Sequence, residues 1–134
     1  MRLLLRVIAV VQLFFGVLFT VVPGLAGGVL GLGSDAPGWA HWLFVMMGAR
    51  FLGYAVGMAA AARNPAEHVS WIDTMIVVQV IDLVGTIVFL AAGEVPLSRV
   101  ASAIVLPVLF VSGLLWWHPR RSRTAGGDSR ARVA

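Results

Sequence analysis

The chain has 134 residues, 60% of them hydrophobic and 12% charged, with a formal net charge of +4. A soluble domain carries roughly 25% charged residues, and one soluble core cannot hide this much apolar surface, so the composition points to a membrane protein. There is no cysteine, which removes disulfides, thiol redox chemistry and thiolate metal sites.

A membrane helix needs about 20 predominantly apolar residues. The first stretch that qualifies covers 3–22, and Pro23-Gly24 ends it. Its basic start, apolar run and small residues near Ala26 also fit a cleaved signal peptide. The run is long for an h-region of about 7–15 residues, Gln12 interrupts it, and three further spans follow, so a retained helix is expected. A Gly-rich loop with Asp35 and Pro37 leads to the second span, 39–62. That loop precedes no Lys-Ser/Thr and follows no strand, so it is not a phosphate-binding loop.

The connection "ARNPAEH" offers Asn64 as N-cap, Pro65 as the first helical residue and Glu67 as the third. The third span is therefore placed at 65–92, adjacent and antiparallel to the second. Gly93-Glu94-Val95-Pro96 separates it from the fourth, 97–117, where Pro107 is expected to introduce a kink. The remainder, 118–134, is basic, polar and without periodicity, and reads as a disordered cytoplasmic tail.

Arg placement orients the bundle. Arg2, Arg6, Arg63 and the arginines after 117 fall on one side if both termini are cytoplasmic, while the first loop has no basic residue and the third only Arg99. Trp39 and Trp42 then mark the outer interface, and Trp71, Trp116 and Trp117 the inner one. The fold class is an all-α membrane protein, a four-transmembrane-helix antiparallel bundle with both termini inside. Exclusive use of Arg over Lys, with much Ala, Gly and Val, suggests a bacterium with GC-rich DNA and hence the bacterial inner (cytoplasmic) membrane. Next to a membrane the Arg-rich ends meet anionic lipid rather than nucleic acid.

Polar groups inside the spans mark the candidate site. Arg50 lies halfway along the second span and Asp82 near the middle of the third. A central Arg or Asp costs roughly 2.5–3.5 kcal/mol on the insertion scale, so each is expected to need a partner, and each is the natural partner of the other. Their Cα levels differ by roughly 9 Å, but helical side chains lean toward their own N-terminus, which brings Arg50 toward Asp82. Gln79, Asp82 and Thr86 share one face of the third span, Arg50, Gly53, Tyr54 and Gly57 one face of the second. Gly53 and Gly57 form a GxxxG pair that permits close helix approach. On the first span Ala9, Gln12, Gly16 and Thr20 make another small and polar stripe, and Ser102 and Ser112 are weaker candidates on the fourth. The cluster Arg50, Asp82, Gln79, Gln12 and Tyr54 either fixes packing and register or forms a ligand, proton or ion site.

His41, His68 and His118 form no set with metal-ligand spacing, and His68 and Asp73 do not share a helix face well. No metal or cofactor is implied. There is no G-x-S-x-G, no H-E-x-x-H and no catalytic carboxylate pair, so no enzyme is expected. A membrane enzyme would have to place its chemistry around His68 and Asp73.

The stretch "GARFLGYAVGMAAAARNPAEH", followed by "QVIDLVG", resembles small four-helix bacterial inner-membrane proteins of the DoxX-like and BphX-like kind. The resemblance runs from about Gly48 to Gly85 and rests on Arg50, Gly53, the Arg63–Pro65 turn, His68 and Asp82. It implies the four-helix fold and no established activity. Thiol-linked roles suggested for some DoxX-type proteins would find no cysteine here. The function expected is that of a non-enzymatic accessory or interaction subunit, in a homo-oligomer or larger membrane complex. The alternative is a small-solute or proton carrier using Arg50 and Asp82.

Overall fold

A computed structural model describes residues 1–29 and 37–119. The Gly-rich loop at 30–36 and the basic tail from 120 lie outside the described residues. Among the described residues there are five helices and no strand: α1 (Arg2–Val21), α2 (Pro23–Val29), α3 (Gly38–Arg63), α4 (Val69–Ala91) and α5 (Leu97–Trp116). All but α2 are long and apolar enough to cross a membrane, so the chain is a multi-pass helical membrane protein. Its outward surface is correspondingly apolar, with Leu3, Val10, Phe14, Val56, Ile81, Val88 and Leu109 all exposed.

The helix ends follow local chemistry. Pro23 ends α1 and opens α2, where its missing N–H is not needed. The short α2 replaces the irregular loop expected after residue 22. The third spanning helix begins at Val69 rather than at Pro65. Asn64 precedes a proline and is held out of the helical region, at φ −138° and ψ 86°. The next residues close a turn in which the Glu67 N–H donates to the Asn64 carbonyl at 3.2 Å and His68 Nδ1 donates to the same oxygen at 3.1 Å. The other end of α4 closes on Gly93 at φ 75°. There the Glu94 N–H reaches the Phe89 carbonyl and the Gly93 N–H the Leu90 carbonyl, both at 3.1 Å. This is a Schellman end, which needs the left-handed residue that glycine supplies without a Cβ penalty.

The most extensive seam joins α1 to α3, followed by α4 to α5. The α3–α4 contact expected from the tight turn exists but is shorter. Two glycines explain the first seam. A Cβ on Gly16 would lie 2.9 Å from the Leu52 backbone nitrogen, and one on Gly48 would lie 2.9 Å from that of Thr20. The backbones approach to where no side chain fits. Gly57 meets the Trp71 ring on α4, whereas Gly53 has no heavy atom within 4 Å of its Cβ position. Gly53, expected to be a packing glycine of the GxxxG pair, therefore faces open space in the single chain. Gly48 takes the close-approach role instead.

Two clusters make the core. All four long helices contribute to the first, which includes Leu5, Ile8, Met58, Ala61, Ile72, Met75, Phe110 and Leu114. Helices α1, α2 and α3 make the second, around Phe19, Ala26, Ala40 and Phe44, where Phe19 packs against Phe44 and Phe51 with ring centroids 5.7 Å apart in each pair. His118, expected in the disordered tail, is buried, and its Nε2 donates to Asp73 Oδ1 at 2.8 Å. That bond ties the end of α5 to the first turns of α4.

Candidate functional site

Between the two clusters is a half-open cavity of about 210 Å³. Gln12, Phe15 and Phe19 line it from α1, Met47 and Phe51 from α3, Gln79 and Asp82 from α4, and Ser102, Ala103, Leu106, Pro107 and Phe110 from α5. Each helix reaches it for a local reason. The Phe15, Phe19 and Phe51 rings stack with centroids 5.7–6.2 Å apart and turn that face of α1 and α3 inward. Gln79 and Asp82 lie three positions apart on α4, hence on one face. On α5, Ala103 and Pro107 lie four positions apart, hence on one face, and both border the cavity.

The polar groups are underpaired. Gln12 and Gln79 are both buried, and both Nε2 groups are directed at one acceptor, the Met75 sulfur, at 3.6 and 3.7 Å. A thioether is a weak acceptor. Gln12 Oε1 is buried with no partner among the described residues. Turning the amide over would exchange which end is unpaired and leave the deficit unchanged. An unmade hydrogen bond of this kind costs about 1–3 kcal/mol; Gln12 lines the cavity, but its Oε1 itself is closed to water.

The structure gathers Gln12, Gln79 and Asp82 of the expected cluster and leaves out Arg50 and Tyr54. Tyr54 is half-buried against the first core cluster. Arg50 is exposed, and among the described residues no ion pair joins it to Asp82. The reason is rotation. The aromatic contacts aim Phe51 at α1 and the cavity, and the residue before it on a helix points about 100° away. Thr86 satisfies its hydroxyl on its own helix, donating to the Asp82 carbonyl at 2.7 Å. Ser102 lines the cavity; Ser112 does not. His68 and Asp73 do not form a joint site, because His68 turns to Asn64 and Asp73 to His118. The Asp73–His118 pair and the Met75 bridge escape sequence reasoning. Their partners are far apart in the chain, and a methionine in an apolar run carries no signal of polar contact.

Asp82 is the sole formally charged side chain among the described residues lining this cavity. Asp82 is exposed at the edge of the cavity, and its carboxylate together with amide, hydroxyl and phenylalanine side chains suits a small solute with a positive, hydrogen-bond-donating head and an apolar body. No protein family matches the chain, and no curated protein or solved structure shows significant similarity to it.

Proposed function

We propose that this chain is a bacterial inner-membrane protein that binds a small amine-bearing solute in the cavity between α1, α3, α4 and α5. The observation that carries the reading is a cavity lined by Gln12, Gln79 and Ser102 with Asp82 as its sole charged side chain among the described residues. Asp82 supplies the charge preference: a carboxylate within a spanning helix is costly alone and is relieved by a cation or a proton. Thermal unfolding in mild detergent tests the proposal with butylamine, benzylamine and benzoate as probes. The amines are expected to raise the melting temperature and benzoate to leave it unchanged. Asp82→Asn is expected to abolish the discrimination. Equal shifts with amine and carboxylate, or none with either, would refute it.

The proposed arrangement is antiparallel, with both termini cytoplasmic. Thr20 meeting Gly48 and Gly16 meeting Leu52 support opposed directions for α1 and α3, and the Arg distribution supports the orientation. The native chain has no cysteine, so the single substitutions Glu67→Cys and Glu94→Cys give clean reporters. An impermeant thiol reagent is expected to label the Glu94→Cys variant from outside intact cells and the Glu67→Cys variant only after permeabilisation. Labelling of both from one side would overturn the four-span topology.

A second reading, a non-enzymatic accessory subunit of a homo-oligomer or larger complex, is favoured by Arg50. An exposed guanidinium halfway along a spanning helix is relieved when another chain covers it. Recovery from mild detergent as a strictly monomeric species with no co-purifying protein would count against this reading.

A further inference from the structure

A second concavity lies on the outer side of the α1–α3 seam, away from the amine cavity. It is an open, apolar groove of about 570 Å³, floored by Leu13, Ala55, Ala59 and Ala62 and ended by Arg6 and Arg63. The small side chains leave a channel between two tightly seamed helices. Both arginines are exposed, and among the described residues neither has an ion pair.

We propose that this groove holds one acyl chain of an anionic phospholipid, with the phosphate between Arg6 and Arg63. Length supports the assignment. The groove runs from Arg6 to Leu13 on α1 and from Arg63 to Leu52 on α3, roughly 10 and 16 Å at about 1.5 Å per residue. Half of a bilayer's hydrocarbon core, about 30 Å thick, is about 15 Å. The groove therefore has the depth of one leaflet, and its charged end lies where that leaflet's phosphates lie. Charge supports it as well, since two guanidinium groups at one mouth match a phosphodiester with paired donors. A second copy of the chain is the poorer occupant, because a twofold axis along the membrane normal would bring four arginines together, and like charges at an interface are costly.

The test is native mass spectrometry of the full chain released from nanodiscs of equimolar phosphatidylglycerol and phosphatidylcholine. The wild type is expected to retain phosphatidylglycerol preferentially as a one-lipid adduct. Arg6→Gln with Arg63→Gln is expected to reduce that preference about 100-fold or more, as for the loss of two charge-assisted hydrogen bonds to one phosphate. Arg2→Gln removes a charge from the same end of α1 outside the groove and is expected to lower the preference by no more than about fivefold, the worth of one diffuse surface charge. Ala59→Phe fills the floor without touching the charges and is expected to remove bound lipid of either kind. An equal loss with Arg2→Gln would show diffuse attraction rather than a site. Undiminished lipid on Ala59→Phe, or a lipid-free dimer of the wild type, would also overturn the proposal.

Discussion

Gly48→Ala is expected to lower the melting temperature in detergent by roughly 5–10 °C, corresponding to the usual overpacking cost of about 1–3 kcal/mol. The added methyl group would lie 2.9 Å from the Thr20 backbone nitrogen and 3.0 Å from the Gly16 carbonyl oxygen. Neither atom can turn aside as a side chain would, so α1 and α3 must separate. Separation loosens the Gly16–Leu52 approach and the Phe19–Phe44 contact in the same seam, and that seam is the largest in the molecule. Gly53→Ala is the control. Its methyl group meets nothing within 4 Å, and alanine favours a helix over glycine by up to about 1 kcal/mol, so stability is expected to hold or rise slightly. A Gly48→Ala protein that melts with the wild type would mean that α1 and α3 do not pack as described.

Gln12→Leu is expected to act in opposite directions on stability and on binding. Leucine is close to glutamine in size and carries no polar group, so the substitution removes the buried carbonyl that has no partner. Among the described residues, the only side-chain hydrogen bond it gives up is the weak one to the Met75 sulfur at 3.6 Å. An unsatisfied buried group costs about 1–3 kcal/mol, so a gain of about 1 kcal/mol in the ligand-free protein is the expected result, read as a higher melting temperature. The same variant is expected to lose most of the stabilisation by amines, because the cavity then offers a solute one amide fewer. A binding site explains this pairing: a polar residue is kept at a cost in stability because it serves a ligand. If Gln12→Leu instead lowers stability in the absence of ligand, the amide is a packing element and the ligand assignment fails.

These two substitutions also separate what could be read along the chain from what could not. The four spans were legible because crossing a bilayer needs about 20 apolar residues in a row, a one-dimensional property. Their bounds match the observed long helices to within a residue or two, except at the start of α4. There Asn64 and Pro65 were read as a helix start, whereas Asn64 takes an extended conformation and the next residues close a turn.

That Gln12, Gln79 and Asp82 belong together was also legible, since polar residues in a span seek one another or a cavity. The rotation of each helix about its axis was not. In a helix apolar nearly all round, hydropathy gives no inward face, so the sequence paired Arg50 with Asp82 on charge and on their levels along the helices. Tertiary packing decided otherwise. Gly16 and Gly48 let α1 and α3 close on each other, the phenylalanine rings fixed how α3 is turned, and Arg50 was carried out of the cavity into which Asp82 opens. The length and number of the helices are properties of the chain's transfer into lipid. Which polar groups meet depends on close contacts between helices, where a single missing Cβ sets the approach.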